Sequence, residues 1–178
     1  MTTRVHRRTE GVTGKKVIEL FDSALTAASY ETSDIEALSN EYAKSPTDNF
    51  IVHDKADLIR PLNQGDIYLR NEASDFFKAV KDSFSQLKAT DKMNLQDGDS
   101  LTGDHTIRTL PGTKVKIQNL MFTPIDDLLE GRKYPGKLIE IDKPFLLTHK
   151  EHGNMAFPEG TYLAFHAIDA DTLERVYD

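Results

Sequence analysis

From residue 105 onward the chain alternates apolar runs with turns built on proline and glycine, and this pattern limits its fold more than any other feature. Residues 105–110 and 114–122 flank Pro111-Gly112. The second run sets Val115 and Ile117 against Lys114, Lys116 and Gln118, the two-residue period of a half-buried strand. Residues 137–142 and 145–149 flank Lys143-Pro144, and residues 155–157 and 161–168 flank Pro158-Glu159-Gly160. A last strand, 173–176, is expected after Asp169-Ala170-Asp171. Between them, residues 124–136 form a longer connection in which 125–130 can make one helical turn. Short strands at such close spacing point to a sandwich or a small barrel of mainly antiparallel strands.

The first half carries a different period. Apolar side chains at 17, 18, 20, 21, 24, 25 and 28 lie on one face of a helix over residues 17–30. Ser33 and Glu36 fit a capping box that would open a second helix with Ile35, Leu38 and Tyr42 on one stripe, closed by Pro46. Residues 50–52 and 67–70 are strand candidates. Ser74 can cap a third helix that carries Phe77, Val80, Phe84 and Leu87. Residues 88–104 are polar and read as a loop. The fold class is therefore α+β: a helical N-terminal segment followed by a mainly antiparallel β sandwich or small barrel. The expected division is a basic flexible arm at 1–16, an α-rich segment with one or two strands at 17–100 and a β-rich domain at 101–178.

Charge sharpens that division. Arg4, Arg7, Arg8, Lys15 and Lys16 against Glu10 give the first 16 residues +4, which leaves −11 on the rest of a chain whose total is −7. A cationic arm can grip phosphates, an acidic protein surface or a neighbouring subunit, whereas an acidic body repels a nucleic-acid backbone. The five basic residues are the candidate partner-binding set, with protein partners, copies of this chain included, expected before nucleic acid. No apolar run approaches the length of a membrane span, and the basic start lacks the apolar stretch of a secretory signal. With no cysteine there is no disulfide, thiolate metal site or cysteine nucleophile.

Histidines are the remaining candidates for chemistry. His149 and His152 form an H-x-x-H pair at a strand end with Glu151 between them, and His166 lies on the next long strand. Strand ends can converge on one divalent transition metal, with His105 or Asp104 as a fourth ligand and Glu151 as a base. His166 shares its face with Tyr162 and Ala164, while Leu163 and Phe165 take the other, so the strand is expected to be covered on both sides. A hydrogen-bonded core histidine and a polar turn are the competing explanations. Asp97-Gly98-Asp99-Ser100 lacks the register of a calcium loop, and Asp126, Asp127 and Glu130 read as a solvated acidic face. Neither a glycine-rich phosphate loop nor a nucleophile elbow is present.

Four short motifs occur in order: Gln64-Gly65-Asp66-Ile67, Leu101-Thr102-Gly103-Asp104-His105, Leu147-Thr148-His149-Lys150-Glu151-His152-Gly153 and Pro158-Glu159-Gly160-Thr161-Tyr162. The series resembles an uncharacterised group of small bacterial and phage proteins, over residues 62–178 with 74–99 divergent. The resemblance implies a β-rich fold and a phage-related setting, without a reaction. His149 and His152 take the places of that group's paired histidines, and Tyr162 that of its aromatic residue. Upstream, the group's TGH-x-H pattern reads here as Thr102-Gly103-Asp104-His105-Thr106. One histidine is missing and the other is displaced by one position, which can turn it to the opposite strand face and leave a degraded metal centre.

These features favour a non-enzymatic phage-type protein that acts through protein–protein contacts, as a virion head or tail accessory component or a host-interaction factor. It would work without a cofactor, as an oligomer or part of an assembly, in the host cytoplasm or the virion. The alternative is a small cupin-like metal-binding enzyme or ligand-binding barrel with His149, His152 and His166 as ligands.

Overall fold

The alternating second half forms strands close to where its pattern places them, and the first half supplies more strands than its composition suggests. The computed structural model describes residues 4–6, 14–45, 47–90, 105–127 and 129–166. In chain order the elements are β1 (Arg4–His6), α1 (Gly14–Ala27), α2 (Thr32–Tyr42), β2 (Phe50–Val52), β3 (Leu62–Gln64), β4 (Ile67–Asn71), α3 (Asp75–Val80), β5 (Ser85–Thr90), β6 (Thr106–Thr109), β7 (Val115–Phe122), β8 (Tyr134–Ile141), β9 (Phe145–His149), β10 (Gly153–Phe157) and β11 (Gly160–His166). Short 3-10 turns occupy Lys55–Ile59, Lys81–Ser83 and Ile125–Asp127.

Two sheets stack face to face. The first has the order β1-β2-β10-β9-β6 and the second β3-β4-β11-β8-β7-β5. The pairings are antiparallel except β2 with β10, which runs parallel with Phe50 opposite Asn154 and Val52 opposite Ala156. Leu69, Ile117, Ile139, Phe145, Leu147, Phe157 and Tyr162 fill the space between the sheets. On the outer face of the first sheet, α1 and α2 bury Val17, Phe21, Leu25, Leu38 and Tyr42 against Phe50, Val52, Leu146 and Ala156. The outer face of the second sheet takes Phe77 and Val80 of α3 against Leu120, Phe122, Leu163 and Phe165. The result is an α/β/β/α stack, an α+β fold with the expected sandwich at its centre.

Several expectations change. The division at residue 100 is not one in the sheets, because β2, β3, β4 and β5 of the α-rich segment belong to both of them. Within the arm expected to be flexible, Arg4–His6 is an edge strand on β2, and Lys15 and Lys16 stand exposed in the first turn of α1. Arg7 and Arg8 lie outside the described residues, as do residues 91–104 with the calcium-like segment, Pro46 and the strand expected at 173–176. The third helix stops at Val80, and Ser85–Thr90 pairs with β7 instead of continuing as helix. The capping box at Ser33 and Glu36 does not form, since Glu31 occupies the N-cap with no side-chain bond. A true capping box occurs instead at Asp54 and Asp57, each carboxylate accepting from the other's backbone N–H at 2.9 Å. Asp127 also departs from the solvated face expected of it: it is buried and accepts from the Tyr134 hydroxyl and the Arg132 guanidinium.

Candidate functional site: a buried histidine and carboxylate cluster

Three of the four motifs meet at one end of the gap between the sheets. Gln64 ends β3, and Gly65 makes the turn into β4 with a φ of +57°, a left-handed conformation that glycine adopts without cost. Asp66 follows in that turn. His105 immediately precedes β6, His149 ends β9, His152 sits in the turn before β10, and His166 ends β11. Gln64, Asp66, His105, His149 and His166 are buried, with His105 fully so, while His152 is exposed. Burying this many polar groups is costly unless each is hydrogen-bonded or the group has work to do.

Gln64 sets the geometry. Its Nε2 donates to the carbonyl oxygens of Leu147 and Gly153, both at 3.0 Å, so the nitrogen end of the amide must face those acceptors. Its oxygen therefore faces His105 Nδ1, 3.0 Å away, and that nitrogen must carry a proton. On the other side of the ring, His105 Nε2 lies 2.9 Å from Asp66 Oδ1. Two lone pairs cannot face one another at that distance, so one proton lies between Nε2 and Oδ1, as imidazolium with carboxylate or imidazole with carboxylic acid. Burial pushes the His105 imidazolium toward a lower pKa; the hydrogen bond and charge of Asp66 oppose this, and nearby His152 and His166 add to the lowering.

The other histidines surround this pair. His149 packs on His105 with ring centroids 4.5 Å apart, and His152 lies 4.4 Å from His149 and 6.3 Å from His105. These rings form a path from buried Asp66 to the surface at His152. His166 Nδ1 is 3.6 Å from the second Asp66 oxygen, Oδ2. As expected, His166 shares the inner face of β11 with Tyr162 and Ala164, while Leu163 and Phe165 pack outside. The displaced His105 still reaches the cluster, because it lies just before β6 and not within it.

The candidate metal ligands are thus neighbours, and in two histidines of the cluster, His149 and His105, ring nitrogens are already engaged. His149 Nδ1 accepts the backbone N–H groups of Glu151 and His152 at 2.9 and 3.0 Å, which puts the ring's own proton on Nε2. Both ring nitrogens of His105 are committed to Gln64 and Asp66. Among the described residues no group of three or more histidine, aspartate or glutamate side chains is arranged to hold a metal ion. As placed, the donor set suits proton exchange better than coordination. Glu151 is exposed and enters the site only through its backbone N–H, and Asp104 lies outside the described residues.

Reading the histidines alone misses Gln64 and Asp66. The signal that could have found them was the ordered motif series, in which QGD precedes both histidine motifs; the series marks segments of one site. No helix among the described residues is long and apolar enough to cross a membrane. No protein-family model matches the chain, and no curated protein or solved structure does either.

Proposed function

We propose that the chain is a β-sandwich protein with a general acid–base site, in which the Asp66–His105 pair exchanges its proton with a small polar ligand approaching past His152. The observation that supports this reading is the 2.9 Å contact between His105 Nε2 and Asp66 Oδ1, with the other ring nitrogen 3.0 Å from Gln64 Oε1. A residue that only filled the core would not require a carboxylate, an amide and stacked imidazoles around it.

The test is imidazole nitrogen NMR on the full chain between about pH 4 and about pH 9, the range in which histidine exchanges protons. His105 Nδ1 is expected to stay protonated throughout, while the Nε2 signal moves with pH as the pair gives up its shared proton and the 2.9 Å contact to Asp66 opens. Asp66→Asn, which offers an amide N–H to Nε2, is expected to abolish that titration in a folded protein. An Nε2 signal that does not move over the whole range overturns the reading and leaves the pair a structural pin. A stoichiometric zinc complex that takes up His149 Nε2 would replace it with the metal-centre alternative on His149, His152 and His166.

A second reading, a phage-type contact protein of the virion or the host cytoplasm, draws support from the motif resemblance and from the placement of Arg4–His6 on the open side of β2. In it, Arg4, Arg7, Arg8, Lys15 and Lys16 grip acidic partners. Deleting residues 2–16 also strips β1 from the sheet, so neutralising the four basic residues outside β1 is the cleaner variant. Native mass spectrometry that shows an unchanged assembly state for both variants would rule this reading out.

A further inference from the structure

On the opposite face of the second sheet from the histidine cluster, Arg70 of β4 is only 9% exposed. Its guanidinium lies over three aromatic rings, 5.2 Å from the centroid of Tyr68, 5.5 Å from Phe76 and 5.6 Å from Phe165. Phe76 and Phe165 are themselves stacked, 5.4 Å apart and 14° from parallel. Nη1 donates to Asn63 Oδ1 at 2.8 Å and to the Leu69 carbonyl at 2.9 Å, which uses both of its hydrogens. The N–H of Nε and the two of Nη2 remain, and among the described residues no carboxylate forms an ion pair with this side chain.

A buried cation normally has an anionic partner, because the loss of hydration is larger than what ring faces return. Here the rings hold the guanidinium in place, and Asn63 with Leu69 fixes its rotation. The edge made of Nε and Nη2 is left as a preformed fork, the geometry that matches two oxygens of one planar group. Burial lowers the Arg70 pKa, in keeping with a charge held without its counterion.

We propose that Arg70, walled by Tyr68, Phe76 and Phe165, is a binding site for the carboxylate of a ligand that carries a flat apolar group. The carboxylate takes the Nε and Nη2 hydrogens, and the flat group lies against the aromatic side chains. The three ring faces around the guanidinium favour an acid that carries a flat apolar group over a strongly hydrated inorganic phosphate. The site does not depend on the acid–base reading of the histidine cluster.

Titration of the full chain with benzoate, acetate and inorganic phosphate at constant ionic strength, followed by NMR of the Arg70 Nε–H group, tests this. Benzoate is expected to shift that signal saturably, with acetate at least about ten-fold weaker, a factor that corresponds to about 1.4 kcal/mol. Arg70→Lys keeps the charge without the fork and is expected to weaken benzoate by about ten-fold or more, read on the backbone amides of Leu69 and Phe165. Arg70→Met provides a second variant, expected to abolish the benzoate response of those amides. A signal unmoved by benzoate, a shift that grows without saturating, or saturation by phosphate alone would each overturn the proposal.

Discussion

The imidazole of His53 lies nearly flat on the ring of Phe157, with centroids 5.0 Å apart and planes tilted by 20°, and among the described residues neither of its nitrogens has a hydrogen-bond partner. Asp57 Oδ2 is 4.0 Å from Nδ1, beyond hydrogen-bond reach. Burial pushes His53 down from 6.5 to about 4, with the charge of Asp57 opposing it. The unfolded chain therefore takes up a proton near pH 6.5 that the folded chain accepts only near pH 4. Stability from this residue is full above that window and is lost as the pH falls through it, by up to about 3 kcal/mol. His53→Phe keeps the stacking area and removes the titration. Denaturant melts of the variant are expected to show a flatter fall in stability between about pH 6.5 and about pH 4 than the parent.

Gln64 joins the two sheets through a side chain that is almost wholly buried. Gln64→Leu keeps the bulk but strands the carbonyls of Leu147 and Gly153 and the Nδ1 proton of His105. Leaving such groups unpaired is expected to cost about 3 kcal/mol or more in urea denaturation. The same variant frees the His105 tautomer, so nitrogen NMR is expected to show Nδ1 losing its constant protonation.

Gly153 and Gly131 both have positive φ, +85° and +72°, but their surroundings differ. A Cβ on Gly153 would lie 2.7 Å from Asn49 Cβ and 2.9 Å from Asn49 O, whereas one on Gly131 would meet nothing within 4 Å. Gly153→Ala is expected to cost about 3 kcal/mol or more, from steric clash added to left-handed strain. Gly131→Ala should cost only about 1 kcal/mol, from the backbone alone. Thermal melts of the two variants side by side measure the difference.

Arg70→Met makes an opposite kind of prediction. Removing a buried charge that has no carboxylate partner is expected to leave unfolding free energy unchanged or raised by about 1–2 kcal/mol. Asn63, which loses the Nη1 bond, is exposed and is solvated by water instead. A substantial loss of stability would mean that the guanidinium is held for packing alone.

Much of the architecture is legible in the residues, because period and turn chemistry agree there. Phe145–His149 falls where its apolar run lies between Lys143-Pro144 and the His149–Gly153 turn, and Ser74 caps α3 by accepting from Phe77 N at 3.2 Å. Ser85–Thr90 was not legible. Phe77, Val80, Phe84 and Leu87 keep a helical spacing straight across the end of α3, and only pairing with β7 turns the segment into a strand. At the site, His149 and His152 stand out because they are three residues apart. Gln64 does not, since its two carbonyl partners lie 83 and 89 residues away and no local pattern encodes such a meeting. Asp127 is hidden for a related reason: its partners Arg132 and Tyr134 come from the far side of a loop that reads as solvated.

The parallel pairing of β2 with β10 has a consequence for how the chain comes into being. Residues 50–52 wait about a hundred residues for 154–156, and in the other sheet β4 likewise waits for β11. A nascent chain that has not yet reached β9 and β10 therefore holds α1 and α2 without most of the sheet they cover, and contacts of such long separation form slowly. Neither layer can close until β10 and β11 have emerged from the ribosome, so the fold of residues 4–166 is committed late and in a single step.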